Sequence, residues 1–285
     1  MTDHVTLFEM GPRDGLQNEK AMIATADKIK LVDMLTACRF SKIEVTSFVS
    51  PKWVPQMADA SDVLAGINRA QGVSYTALTP NMRGLRGAQA ANANEVAIFG
   101  SASESFSQAN INCSIDESLE RFVPVLEAAK AAGLPVRGYV SCTVECPYDG
   151  PTPPKNVLRV AKAMLEMGCY EVSLADTVGT ATPEGIARML DAVLAEVAPE
   201  LLAGHYHDSG GRALDNIKVS LDKGLRVFDA AVGGLGGCPY APDAQGNVAT
   251  ENVAAMLEAH GYTTGIDQEA LAKAAAFALS LKETA

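Results

Sequence analysis

Two histidines separated by one residue, His205 and His207, stand in a chain that has four histidines in all. On a β-strand, residues i and i+2 face the same side, so the two imidazoles would converge. Converging neutral imidazoles suit a divalent cation; the alternative is a pair of histidines hydrogen-bonded into a wall. A second polar cluster, Gly11-Pro12-Arg13-Asp14-Gly15-Leu16-Gln17-Asn18-Glu19, follows an apolar run. It brings a guanidinium, a carboxylate and two amides to one place, unless it is only a charged turn with an internal Arg13–Asp14 pair. Glu44 lies inside one apolar run and Asp176 follows another. A buried carboxylate is costly unless paired or ligated, and Arg13 is the natural partner for Glu44. For Asp176 the alternative is a helix cap. The third cluster is Gly233-Gly234-Leu235-Gly236-Gly237-Cys238-Pro239-Tyr240-Ala241-Pro242, then Gly246-Asn247. Four glycines in five residues fit a loop that closes over a site and delivers the Cys238 thiol, or else a tight turn around a filler cysteine. Asn247 adds an amide oxygen, a good hard ligand. Asp14, His205, His207 and Asn247 form a thiolate-free set of two nitrogens and two oxygens, suited to Mg2+ or Mn2+ more than to zinc.

The elements needed to position these residues are legible. Eight short apolar runs read as strands: Val5–Met10, Lys42–Phe48, Val73–Leu78, Glu95–Phe99, Val136–Cys142, Tyr170–Leu174, Leu201–His207 and Val227–Val232. Their near-continuous apolar character suits parallel strands buried on both faces. Helical patterns fill the gaps. Ile29, Val32 and Leu35 share a face. Ser114 and Glu117 form a capping-box pattern before Leu119, Phe122, Val123 and Leu126. Thr182 and Pro183 read as N-cap and first helical residue ahead of Ile186, Met189 and Leu190. Leu214, Ile217 and Leu221 repeat at helical spacing. Eight βα units predict an α/β fold, a TIM (β/α)8 barrel, with Asp267 to Lys282 as an extra C-terminal helix. With no linker, charge block or repeat, residues 1–285 read as one catalytic domain, and the reactive clusters fall where such barrels keep their sites, at the C-terminal strand ends.

Composition narrows the partners. The chain has 285 residues, a formal net charge of −11 and 48% hydrophobic residues. An acidic chain is a poor nucleic-acid or anionic-membrane binder. No apolar run approaches the roughly 18 residues of a membrane span. No signal or transit pattern is seen, which predicts a cytoplasmic protein. The six cysteines are scattered; no disulfide framework is expected, and Cys142 and Cys146 read as structural rather than as half a zinc site.

Four segments, GPRDGLQNEK (Gly11–Lys20), TSFVSPKWVPQM (Thr46–Met57), RGYVSCTVECPY (Arg137–Tyr148) and GGLGGCPYAPDAQGNVATE (Gly233–Glu251), resemble the 3-hydroxy-3-methylglutaryl-CoA lyase family. The resemblance runs from the first strand to beyond the eighth, and the cysteine-bearing loop is its most specific piece. It implies a carbon–carbon lyase that cleaves 3-hydroxy-3-methylglutaryl-CoA to acetyl-CoA and acetoacetate, as in leucine breakdown or ketone-body formation. It implies metal ligands Asp14, His205, His207 and Asn247. Catalytic roles are implied for Arg13, Glu44, His205, Cys238 and Asp176, with Arg13, Lys20 and Asn110 on the acyl-CoA side. A homodimer is compatible with such barrels. The chain departs from the family where Asp208 is followed by Ser209-Gly210-Gly211 rather than by threonine and an aromatic residue, which leaves the substituent at C3 open. The competing readings are a lyase for isohexenylglutaryl-CoA or citramalyl-CoA, a synthase condensing acetyl-CoA with a 2-oxo acid, a pyruvate-forming aldolase, and a catalytically idle barrel that serves as a scaffold.

Overall fold

A computed structural model describes residues 3–237 and 246–283. Its eight barrel strands are β1 (Thr6–Glu9), β2 (Lys42–Ser47), β3 (Ser74–Leu78), β4 (Glu95–Ser101), β5 (Val136–Ser141), β6 (Glu171–Asp176), β7 (Leu202–Tyr206) and β8 (Val227–Ala230). They are parallel neighbours in chain order, and β1 closes on β8 with Thr6 beside Val227 and Glu9 beside Ala230. The helices are α1 (Thr25–Ala37), α2 (Ala60–Gly66), α3 (Met82–Ala90), α4 (Glu104–Ile111), α5 (Ile115–Ala131), α6 (Pro154–Met167), α7 (Pro183–Leu194), α8 (Ala213–Asp222), α9 (Thr250–Ala259) and α10 (Gln268–Glu283). Each of the eight expected strands is present, shifted by no more than two residues at either end. The expected terminal helix is α10.

Local chemistry explains the helix starts. Ser114 accepts from the Glu117 N–H while the Glu117 side chain accepts from the Ser114 N–H, the reciprocal cap expected from the sequence. Thr182 caps α7 through the Gly185 N–H, with Pro183 in the first turn. Val123 does not join the buried face of α5; it is exposed, and Ser118, Val125 and Ala129 complete that face instead. The apolar layer between strands and helices holds Leu31, Val45, Val96, Leu126, Val160, Val172, Leu190 and Phe228. Cys142 and Cys146 pack with Phe106 in a small buried cluster, in keeping with the structural reading.

The barrel interior is not apolar throughout. Phe8, Met10, Leu78, Ala97 and Tyr139 form a compact inner cluster. Around it Glu44, Arg137, Ser173, His205 and Asp229 are also buried. Such a layer survives only if its charges meet one another, and the strand register arranges this. Arg137 lies beside Glu171, Tyr139 beside Ser173, and Asp229 beside His205. Register neighbours on parallel strands point to the same face.

Candidate metal and catalytic centre

The chain leaves β1 through a wide turn, Gly11–Gly15, in which the Met10 carbonyl accepts from both the Arg13 and Gly15 N–H groups. This turn carries Arg13 and Asp14 to the barrel mouth. Arg13 is buried and clamped twice, through Nε to Glu44 Oε2 and through Nη1 to Asp14 Oδ1. The internal Arg13–Asp14 pair therefore exists, and it leaves the other oxygen of Asp14 turned toward the histidines.

Asp14 Oδ2 lies 3.8 Å from His205 Nε2 and 3.6 Å from His207 Nε2. The two Nε2 atoms are 3.3 Å apart. Both rings are pinned from behind: Nδ1 of His205 lies 3.0 Å from Asp229 Oδ2, and Nδ1 of His207 lies 3.0 Å from the Thr177 carbonyl oxygen. Those partners only accept, so each Nδ1 is placed to donate to them and each Nε2 is turned toward the other ring and Asp14. Asn247 joins beside Asp14, its Nδ2 donating to Asp14 Oδ2 at 2.8 Å and to the Leu235 carbonyl at 3.2 Å. Its Oδ1 is buried and has no hydrogen-bond partner among the described residues. Two imidazole nitrogens and a carboxylate oxygen converge, with the Asn247 amide at the edge of the group through its bond to Asp14. Bonds of ~2.1 Å at right angles place neighbouring donors about 3 Å apart, so the spacing fits a hard divalent cation. Asp14, His205 and His207 are also the cluster of metal-type side chains found among the described residues.

The electrostatics agree with an anionic pocket walled by cations. Burial works against the charge of Asp14, yet the Arg13 guanidinium and the two histidines hold its carboxyl well below the usual range. Burial disfavours the protonated His207 ring, but Asp14 and Asp176 outweigh it and push its pKa up. For Glu44 burial wins over Arg13 and the pKa rises. Asp229 goes the other way: burial opposes its charge, but Arg137 and His205 bring it down to about 2.

The other expected residues are placed less centrally. Asp176 is buried and turns its carboxylate onto its own loop, accepting from the Gly179 and Ala181 N–H groups at 3.0 and 2.9 Å. Asp176 thus ties down the loop ahead of α7 rather than capping the helix, whose N-cap is Thr182. Lys20 is exposed on the loop after the first turn, in a groove shared with Gln17, Met22 and Trp53. Asn110 is exposed on α4. Cys238 lies outside the described residues. Asp229, Arg137, Tyr139 and Ser173 are residues that the sequence reading passed over. They sit inside strands, and only the register shows what they touch.

A family model described as HMGL-like matches residues 4–278. The chain belongs to the HMGL-like family. It is 56% identical over 270 residues to a Pseudomonas aeruginosa protein named 3-hydroxy-3-isohexenylglutaryl-CoA/hydroxy-methylglutaryl-CoA lyase, covering 95% of this chain and 90% of the relative. It is 55% identical over 273 residues to the mitochondrial hydroxymethylglutaryl-CoA lyase of Bos taurus, covering 96% and 84%. The HMG-CoA lyase crystal structure from Brucella melitensis superposes with a TM-score of 0.97 at 59% identity, covering 99% of each chain. The expected fold and the family resemblance are thus both met. Among the described residues no helix is long and apolar enough to cross a membrane. That does not decide the expected cytoplasmic location, and the bovine relative is named mitochondrial.

Proposed function

We propose that this protein is a divalent-metal-dependent carbon–carbon lyase that cleaves 3-hydroxy-3-methylglutaryl-CoA to acetyl-CoA and acetoacetate. The observation that carries the reading is the convergence of His205 Nε2, His207 Nε2 and Asp14 Oδ2, with the Asn247 amide bonded to that carboxylate. Kinship with hydroxymethylglutaryl-CoA lyases over almost the whole chain supports the substrate. The donor set fits Mg2+ or Mn2+, which when bound supplies a Lewis acid for the oxygens of the substrate and lowers the pKa of its hydroxyl.

The reaction removes the proton of the C3 hydroxyl and breaks the C2–C3 bond. The bonding electrons pass to the thioester as an enolate, C3 becomes the ketone of acetoacetate, and a proton at C2 completes acetyl-CoA. His205 and Asp14 are the groups at the mouth that can take the hydroxyl proton. Arg13 has a fixed place because Glu44 and Asp14 hold it from two sides, so its charge needs no reorganisation as the enolate oxygen develops. Cys238 is the proposed acid toward C2, a thiol still mostly protonated at neutral pH. Lys20 in its groove is the proposed contact for the phosphates of CoA.

Incubation of purified protein with Mg2+ and 3-hydroxy-3-methylglutaryl-CoA, with and without EDTA, tests the proposal by product analysis. Acetyl-CoA and acetoacetate should appear together and vanish with EDTA. Cleavage confined to a 3-hydroxyacyl-CoA with a longer C3 chain would change the substrate and keep the reaction. Equal cleavage in EDTA-stripped protein would overturn the metal role.

A further inference from the structure

We infer that Asp229 is a positioning residue for the metal centre, fixing the tautomer and the angle of the His205 ring so that Nε2 is the nitrogen offered to the cation. Asp229 and His205 are register neighbours on β8 and β7, so both side chains enter the barrel at one level. Asp229 Oδ2 is 3.0 Å from His205 Nδ1, and both residues are buried. The same carboxylate is held from two further directions, by the Ser173 hydroxyl at 2.8 Å and by Arg137 through Nη1 at 3.0 Å and Nη2 at 2.8 Å. Arg137 is itself immobilised by Glu171 at 2.7 Å and by the face of Phe8, 4.5 Å from its ring centre. A carboxylate pinned this way can only accept from the imidazole. The ring cannot turn over without taking its Nδ1–H away from Asp229, and a buried donor without an acceptor is costly.

The support does not stop at His205. Arg137 Nη1 also donates to the Tyr139 hydroxyl at 3.1 Å, and that hydroxyl donates to Glu44 Oε1 at 3.2 Å. Glu44 in turn holds Arg13. One hydrogen-bonded layer, Glu44–Tyr139–Arg137–Asp229, therefore runs beneath the mouth and sets both the enolate-facing cation and the metal-facing imidazole. A carboxylate that merely neutralised Arg137 would have no need of a third contact to a ring at the donor set. Outer partners of this type are worth about 10–100-fold in metal affinity.

The inference rests on the metal reading of His205, so its test separates the two. Long-range 15N–1H imidazole spectra of the metal-free protein should show His205 as the Nδ1–H tautomer. In Asp229→Asn that tautomer should no longer be enforced, because an amide offers the ring N–H as readily as C=O. Mn2+ titration should then give a dissociation constant 10–100-fold weaker than in the parent. Because Asp229→Asn leaves Arg137 with Glu171 as its one remaining carboxylate partner among the described residues, the double variant Arg137→Met with Asp229→Leu is measured alongside, and it should lose Mn2+ affinity to a similar degree. A parent protein with His205 in the Nε2–H tautomer, or folded variants that bind Mn2+ as tightly as the parent, would overturn the inference. A parent protein that binds no Mn2+ would overturn the metal reading and this inference with it.

Discussion

Arg13 owes its usefulness to geometry as much as to charge. Its guanidinium reaches Glu44 through one nitrogen and Asp14 through another, a fork that a lysine ammonium cannot reproduce. Arg13→Lys keeps a cation beside Glu44, which protects the fold, but leaves the enolate side less well held. Turnover should fall about 10²–10³-fold, the usual loss for one fixed transition-state donor, while Mn2+ affinity changes little. Steady-state kinetics together with Mn2+ titration check this; an unchanged kcat would remove Arg13 from the enolate role. Cys238→Ser should likewise cut turnover strongly with metal binding intact, and near-normal turnover would remove the thiol as the acid. At this scale the sequence was readable where chemistry sits just past a strand end, as with Asp14 and His207. Glu44 and His205, inside strands, were legible through Arg13 and the paired His207, whereas an in-strand residue with no such signal was opaque. Asp229 stands in the run Val227-Phe228-Asp229-Ala230, where nothing local distinguishes a partner of His205 from a residue at the surface. Its meaning appears only when β7 and β8 are laid side by side.

Three segments that carry the site meet on one buried carboxylate, Glu9 at the end of β1. Its Oε1 accepts from the N–H groups of Gly11 and Val232, and its Oε2 accepts from the Thr250 hydroxyl. Glu9 thereby joins the turn bearing Arg13, the start of the glycine-rich segment after β8, and the first residue of α9. Burial outweighs these donors and raises its pKa to about 7. A carboxyl raised in the folded state favours folding most below its unfolded pKa near 4.5, and that contribution is lost as pH rises through about 7. The shift corresponds to about 3 kcal/mol at 1.36 kcal/mol per unit. Glu9→Gln keeps the shape and can hydrogen-bond to the same groups without ever ionising. Urea unfolding at pH 5.5 and pH 8 should show a smaller loss of stability with rising pH in the variant than in the parent, and parallel profiles would refute the assignment. The glycines after β8 are explained by contact as well as by turn geometry. Gly236 has φ +114, and a Cβ there would lie 2.8 Å from Asn247 Nδ2; a Cβ on Gly246 would lie 2.2 Å from the Gly236 carbonyl oxygen. Gly236→Ala should therefore displace the Asn247 amide from Asp14 and weaken Mn2+ binding, on top of the backbone strain of a positive φ. Calorimetric titration of that variant would show it, and parent-like affinity would place Asn247 outside the donor set. The glycine run pointed to a special backbone from the sequence alone, but the close approach of its two ends required the structure.

For the molecule as a whole, the barrel is a shell that makes a costly interior tolerable. Its eight apolar strands were legible because parallel strands covered by helices carry near-continuous apolar runs. The polar layer inside was legible only at Arg13 with Glu44; its other pairs, such as Arg137 with Asp229, join residues far apart in the chain that no local pattern links. At the mouth this layer turns Asp14, His205 and His207 toward one another, with Asn247 bonded to Asp14 beside them. The unfolded chain has no such arrangement, since these ligands come from positions 14, 205, 207 and 247. A cation that binds only the folded state must raise its stability by RT ln(1 + [L]/Kd), about 2.7 kcal/mol when the free ion stands at 100 times Kd. For a chain of this size that corresponds to a rise in Tm of several degrees. Thermal unfolding followed by circular dichroism should thus move upward with Mn2+ or Mg2+ in a concentration-dependent way and return with EDTA. His207→Ala should melt near the metal-free parent and show almost no response to the ion. If instead the variant responds as strongly as the parent, the ion acts elsewhere on this acidic surface, and the convergence at the barrel mouth would have to be explained without a metal.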